Sequence, residues 1–301
     1  MTTPDTAAIR DRKPLDDEFD VYGLTDTGKV RDVNQDNFLL ASLHKRMQIH
    51  FTSLENLAEL PIEDERLAYM VMVADGVGGG LGGDQASRIA ITGVSQYIQS
   101  SMQCYYNQDS KDEDFLDALQ EAAMACHESV VKESEEHPEV RGMATTLTLV
   151  IGVWPRAYVL QVGDSRFYML HKGRLIQVTR DQTIAQELVE QGVLTRSDAD
   201  NTRWANVLSS AIGGTQTAPV VTRIDQAWES IILLCSDGLT KHVDEKRLEQ
   251  CLANMKDSKS ACEELMKAAL DGGGTDNITI VVGRVYPQSS SENGEEVSDR
   301  Q

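Results

Sequence analysis

Strands and helices fall in separate blocks along this chain, and several strands follow one another through tight turns. The sequence therefore predicts an α+β fold of antiparallel sheets faced by helices; a doubly wound parallel sheet would alternate the two element types. A third observation concerns where the most apolar runs end. AYMVMV leads into Asp75-Gly76, SIILLC into Asp237-Gly238, and Asp276-Asn277 opens ITIVVGRV. Runs this rich in β-branched and apolar residues read as buried strands, which puts the carboxylates at strand ends, where a sheet edge opens to solvent. One Asp-Gly pair in such a place is ordinary turn chemistry. Three acids gathered there repel one another unless a cation holds them, which points to a hard divalent metal.

The elements follow in order. FDVYGLTDTG and DNFLLASL read as strands flanking a KVRDVNQ turn, and AYMVMVA is the next strand after a polar, poorly patterned segment from His44 to Glu65. From Gly83 a helix carries Ala86, Ile89, Ala90, Gly93, Val94, Tyr97 and Ile98 on one face. DEDFLDALQEAAMACHESVVKES forms a second, striped by Phe115, Leu119, Ala122, Cys126 and Val130. A β meander comes next, through ATTLTLVIGVW, RAYVLQVGD, RFYMLHKG and RLIQVT, with His171-Lys172-Gly173 as a hairpin turn. TIAQELVEQG makes a short helix ending at Gly192 as its C-cap. Strand SIILLCSDG, helices EKRLEQCLANM and SACEELMKAALDGG, and strand NITIVVGRV complete the series. Residues 1–20 and 287–301 lack an apolar face and read as mobile tails. No repeat and no Pro-, Gly- or Ser-rich linker divides the remainder, so residues 21–286 read as one domain.

Composition narrows the function classes. Acids outnumber bases 48 to 28, and the formal net charge of −20 disfavours nucleic acid and anionic membrane surfaces as partners. No stretch has the length and apolarity of a membrane span, and the first residues lack a basic segment followed by an apolar one, so a soluble, cytoplasmic protein is expected. The five cysteines form no C-x-x-C pair and lie mostly in apolar patterns, as small core residues in a reducing compartment do. None of the six histidines falls at zinc-ligand spacing.

Taken with their neighbours, the acids occur in the order RDVNQD (Arg31 to Asp36), ADGVGG (Ala74 to Gly79), GDSR (Gly163 to Arg166), SDGL (Ser236 to Leu239) and GTDNIT (Gly274 to Thr279). Each short word is weak alone; the ordered set resembles the metal-dependent protein phosphatase family, the type 2C serine/threonine phosphatases in their compact bacterial form. The resemblance runs from Val21 to Val285, and implies a central β-sandwich of two antiparallel sheets flanked by helices, with two Mn²⁺ or Mg²⁺ ions at one end. Position by position it implies that Asp75 bridges both metals, that the Gly76 carbonyl binds one, and that Asp237 and Asp276 complete the other. Asp36 matches the acid that orients metal-bound water, and Asp164 with Asp237 matches the ligands of a third, looser ion. Arg31 matches the phosphate-binding arginine, a role suited to a permanently charged group that contacts two oxygens at once. The implied reaction is in-line attack on a phosphoserine or phosphothreonine by a hydroxide bridging the metals. The implied partners are phosphorylated proteins, substrates of a serine/threonine kinase, met by a monomer. Residues 183–211 resemble the family's mobile flap beside the site.

Departures from the family pattern limit what carries over. Gln35 stands where many members have glutamate. Val77, Gly80 and Gln182 stand where relatives have histidines, so no general acid is visible. A pseudo-phosphatase, the same fold kept as a binding module for a kinase or signalling partner, is the alternative; it would be favoured by loss of a metal acid, and none is lost. Ser165 and Ser236 read as turn residues, since no His and Asp are arranged beside them for nucleophilic catalysis. GVGGGLGG lacks the Lys-Ser/Thr of a P-loop and reads as a turn that lets backbone approach metal.

Overall fold

Alternation along the central strands assigns their two faces, because successive side chains point to opposite sides of a sheet. The computed structural model describes residues 12–46, 48–49, 51, 65–78, 82–101, 111–199 and 202–287. Its strands are β1 (Phe19–Asp26), β2 (Asp36–Lys45), β3 (Glu65–Val77), β4 (Ala144–Thr145), β5 (Leu147–Val153) and β6 (Arg156–Val162). They continue with β7 (Arg166–His171), β8 (Arg174–Gln177), β9 (Val220–Asp225), β10 (Ile231–Cys235) and β11 (Ile278–Val285). One sheet has the order β1-β11-β10-β7-β8 and the other β2-β3-β5-β6-β9, with β4 paired to β3. Every pairing is antiparallel.

Helices cover both outer faces. On the β3 side lie α1 (Gly82–Ser101) and α2 (Asp112–Glu136); on the β11 side lie α6 (Glu245–Ala253) and α7 (Ser258–Asp271). Three short helices, α3 (Ile184–Glu190), α4 (Arg196–Ala199) and α5 (Asp237–Thr240), lie between β8 and α6 in the sequence. In β3, Met70, Met72 and Ala74 pack toward α1 and α2, while Val71 and Val73 enter the layer between the sheets. In β11, Ile278, Ile280 and Val282 pack toward α7, while Val281 meets Leu234 and Phe167 between the sheets. Burial on both faces explains why these strands read as unbroken apolar runs. The expected helix stripes are observed: Ala86, Ala90, Val94 and Ile98 of α1 and Phe115, Leu119, Ala122, Cys126 and Val130 of α2 are buried. The β-sandwich flanked by helices matches the architecture the resemblance implies.

Three local expectations need correction. The predicted meander is not one sheet: β5 and β6 pair in one, β7 and β8 in the other, and the chain crosses over at Gly163-Asp164-Ser165. Gly163 makes the crossing possible, with φ +103° and no room for a Cβ, which would fall 2.6 Å from Thr146 Cγ2. The first meander strand is also broken at Thr146 into β4 and β5, and β9 went unpredicted. Part of the expected N-terminal tail is packed: Arg12 bonds Glu18, Lys13 donates to the Arg66 carbonyl, and Glu18 is buried just ahead of β1. Residues 1–11 and 288–301 of the two expected tails lie outside the described residues, as does most of the His44 to Glu65 segment.

Candidate metal centre

Two sheet ends meet at the site. In the β2–β3 ladder Asp36 lies directly opposite Asp75, a like-charge pair that a sheet does not tolerate without compensation. From the other sheet, Asp237 lies one residue beyond β10, after Ser236, as the first residue of α5, and Asp276 lies two residues before β11. The sheets are tied together here through Asp36, whose Oδ2 accepts from Ser236 Oγ at 2.7 Å and Thr279 Oγ1 at 2.8 Å. Asn277 ties in the loop between β1 and β2. Its amide donates to the Thr27 and Val33 carbonyls, each at 3.0 Å, and its Oδ1 accepts from Gln35 N–H at 2.9 Å. Asp164 enters from the crossover between the sheets, where Ser165 Oγ lies 2.8 Å from Thr146 Oγ1. Thr146 in turn accepts from Asp75 N–H at 3.0 Å.

Electrostatics show that these acids share one neighbourhood. Asp75 is pushed well above the usual carboxylate range, by burial first and then by the charges of Asp36, Asp237, Asp164 and Asp276. Burial, reinforced by Asp237, raises Asp36 to about 6 against the hydrogen bonds from Ser236 and Thr279. Burial and the charges of Asp237 and Asp181 raise Asp164 to about 8. Asp237 is raised by burial and Asp276, although Lys241 opposes both. Asp276 alone is lowered, because Lys241 and Arg31 outweigh its burial.

Two cations account for that exception. Arg31 Nε is 2.8 Å from Asp276 Oδ1, and Lys241 Nζ is 2.7 Å from Asp276 Oδ2 and 2.6 Å from Asp237 Oδ2. Among the described residues no three His, Cys, Asp or Glu side chains converge as a closed ligand set. The acids instead form a like-charge pair opposed across the β2–β3 ladder, Asp36 with Asp75, and a pair bridged by an ammonium, Asp237 with Asp276.

The residues nevertheless fit divalent ions. All the donors are oxygens, as Mg²⁺ and Mn²⁺ prefer. Asp36 Oδ1 and Asp237 Oδ1 are buried without a hydrogen-bond donor among the described residues, which is costly unless a cation supplies the missing interaction. At Gly76 the chain is pinched: a Cβ would fall 2.3 Å from the Gly83 carbonyl oxygen and 2.8 Å from that of Gln35. Glycine is the residue that lets these three segments approach one another.

All the site residues expected from sequence, Arg31, Asp36, Asp75, Gly76, Asp164, Asp237 and Asp276, lie at this end of the sandwich. Arg31 contacts Asp276 in the structure. Sequence reading missed the residues that hold the acids. Ser236 and Ser165 were expected only to make turns, yet Ser236 fixes Asp36 and Ser165 bonds Thr146. Lys241 went unnoticed, although its position four residues after Asp237 in SDGLTK is a readable ion-pair spacing.

The raised acids make a stability prediction for the metal-free protein. A carboxyl whose folded pKa exceeds the usual ~3.9 binds more protons folded than unfolded, so it favours folding below that value and ceases to as pH climbs through its folded pKa. For Asp36 and Asp164 that window runs from ~3.9 up to about 6 and about 8. In chelator, the melting temperature is expected to fall between pH 5 and pH 8, and Asp164→Asn to fall less steeply. A wild-type melting temperature that is flat or rises over this interval would contradict the assignment.

Comparison with known proteins places the chain in a family. A family model described as protein phosphatase 2C matches residues 61–272. The serine/threonine phosphatase Stp of Listeria monocytogenes is 30% identical over 259 residues, covering 86% of this chain and 92% of that protein. The serine/threonine protein phosphatase PstP of Mycobacterium tuberculosis is 32% identical over 218 residues; the match covers 72% of this chain and only 40% of PstP. A crystal structure of PstP superimposes with a TM-score of 0.71 at 26% identity, over 89% of this chain and 99% of that one. The PstP catalytic domain in complex with two manganese ions gives 0.69 at 27% identity, with the same coverage. The family match spans more than half the sequence and the Listeria protein is matched over nearly its whole length, so this chain belongs to the protein phosphatase 2C family.

Proposed function

We propose that this chain is a metal-dependent protein phosphatase that hydrolyses phosphoserine and phosphothreonine in phosphoproteins. One observation carries the reading: Asp36 lies opposite Asp75 across the ladder, Asp237 and Asp276 gather on one ammonium, and Asp36 and Asp237 each bury an oxygen that has no donor among the described residues. Such an arrangement is stabilised by divalent cations. In this reading Asp75 and the Gly76 carbonyl hold two Mn²⁺ or Mg²⁺ ions, with Asp237 and Asp276 completing one of them. Asp164 and Asp237 hold a third, looser ion. The manganese complex of the PstP catalytic domain supports the choice of metal.

When bound, the ions supply Lewis acidity, which makes a nucleophile available from water near neutral pH and neutralises charge on the phosphoryl oxygens. The chain's own residues do the rest. Asp36 is held in one orientation by Ser236 and Thr279, so its buried Oδ1 is presented in a constant position to orient the attacking water. Arg31, half exposed beside Asp276, offers a guanidinium to two phosphate oxygens. A cleft of about 920 Å³ runs from Asp164, Asp237 and Lys241 past Arg166 and Asp181. The same cleft is lined by Thr183, Gln186, Arg196 and Asn206 from the flap segment, and in this reading it receives the peptide flanking the phosphoresidue. Val77 stands at the position where the resemblance implies a histidine that protonates the leaving oxygen, so this chain offers no imidazole there.

Substrates are the products of a serine/threonine kinase, and the protein acts as a monomer in the cytoplasm. The described cysteines Cys126, Cys235, Cys251 and Cys262 are buried free thiols, which suits a reducing compartment. No described helix is long and apolar enough to cross a membrane.

Metal removal tests the reading. Hydrolysis of a phosphothreonine peptide by exhaustively dialysed protein is expected to be abolished in EDTA and restored by excess Mn²⁺ or Mg²⁺. Undiminished turnover in EDTA would rule out the metal chemistry. A protein that binds metal and phosphopeptide yet turns over none with either ion would be the binding module instead.

A further inference from the structure

Lys241 occupies an unusual place for an ammonium. Its Nζ lies 2.6 Å from Asp237 Oδ2 and 2.7 Å from Asp276 Oδ2, so one cation bridges the two carboxylates that the proposed function gives to a single divalent ion. The contact is built into the local fold. Asp237 opens α5 and Lys241 is the residue at its C-terminal end, its N–H donating to the Asp237 carbonyl at 2.9 Å, so the spacing of one helical turn returns the side chain to Asp237. Asp276 is brought within reach by the start of β11. Lys241 is 26% exposed, so its flexible stem has solvent on one side into which it can withdraw.

An ammonium and a divalent ion on the same two oxygens repel each other, and the carboxylates cannot serve both fully. Asp237 Oδ1, buried and without a donor among the described residues, is the one oxygen of that residue Lys241 leaves to another cation. Resting on the proposed metal-dependent reading, we propose that Lys241 is a built-in competitor for the ion at the Asp237–Asp276 pair. The ion binds there as the ammonium withdraws, so this half of the centre is weak and its occupancy follows the free metal concentration. The same ammonium stabilises the metal-free protein by compensating two acids that would otherwise face each other. Activity is thereby graded by metal supply.

The test is calorimetric titration of Mn²⁺ into the metal-stripped full chain, comparing wild type with Lys241→Met and Lys241→Arg, together with the melting temperature of each in EDTA. Removing the competing charge is expected to tighten the weaker Mn²⁺ site at least about tenfold in Lys241→Met, the scale of close charge-pair coupling. Lys241→Arg, which keeps a cation at the pair, is expected to stay near wild type. The metal-free melting temperature is expected to drop in Lys241→Met and to be largely retained in Lys241→Arg. If wild type binds Mn²⁺ and Lys241→Met binds it equally or more weakly, Lys241 does not compete and the inference is overturned while the phosphatase reading stands. If neither wild type nor variants bind Mn²⁺, it is the metal-dependent reading that falls. Should Lys241→Met melt too low to titrate, Lys241→Gln supplies the same uncharged comparison.

Discussion

Asp75→Asn is expected to lower metal-dependent phosphopeptide turnover at least about 100-fold while raising the melting temperature of the metal-free protein. The two effects have one origin. Asp75 is the acid most crowded by others, facing Asp36 across the ladder and feeling Asp237, Asp164 and Asp276, so its charge is the costliest in the unliganded fold. Asparagine keeps the shape and removes that charge. In the proposed function the same charge is what a pair of divalent ions requires, so stability gained without metal is activity lost with it. Steady-state kinetics in saturating Mn²⁺ and calorimetry in EDTA measure both quantities on one preparation. Turnover close to wild type would show that Asp75 is not the bridging ligand; lower metal-free stability would show that the crowding of charges is not what raises it.

Gly76→Ala is expected to be nearly as damaging to activity, for a reason that involves no charge. The added methyl would sit 2.3 Å from the Gly83 carbonyl oxygen, 2.4 Å from its carbon and 2.8 Å from the Gln35 carbonyl oxygen, all backbone atoms that no rotamer change can clear. Either the end of β3 shifts, or the first turn of α1 and the loop before β2 move away. Both displace Asp75 relative to Asp36, and a misplacement of about 1 Å at a reacting centre costs on the order of 10²-fold in rate. Overpacking of this kind also destabilises by about 1–3 kcal/mol. The check is kcat together with a urea unfolding curve. Wild-type values for both would mean that the pinch at Gly76 relaxes freely and that its glycine is not required for close approach.

Much of the fold was legible because it depends on periodicity, which is local. The apolar faces of α1 and α2 were read from periodicity, with Ala118 and Ala123 of α2 missed and Ile89, Gly93 and Tyr97 of α1 only half-buried, and β3, β10 and β11 were visible because burial on both sides removes polar residues from them. β9 escaped for the opposite reason: its edge position beside β6 leaves most of VVTRID half or fully exposed, so no apolar alternation marks it. The division of the meander between two sheets was also hidden. Strand patterns record which residues are buried and carry no record of which neighbour buries them, and the turn at Gly163-Asp164-Ser165 suits a crossover as well as a hairpin. At the N-terminus, charge and lack of pattern suggested a tail throughout, yet Arg12, Lys13 and Glu18 are engaged with one another and with Arg66, a partner far along the chain.

The site divides along the same line. Residue types and their order along the chain were enough to indicate an oxygen-donor metal centre, because strand ends rich in aspartate make chemical sense only together. How those acids are held was decided in three dimensions. Thr279 reaches Asp36 across 243 positions of sequence, Asn277 stitches the loop before β2 into place, and Lys241 spans two carboxylates that belong to different elements. Hydrogen bonds and ion pairs are short-range and directional, so they exist only once the backbone has brought both partners within about 3 Å. Hydrophobic patterning acts without regard to direction and is written into each segment separately, which is why the acids at strand ends were readable in the sequence while the long-range bonds from Thr279, Asn277 and Lys241 to partners on other segments were not.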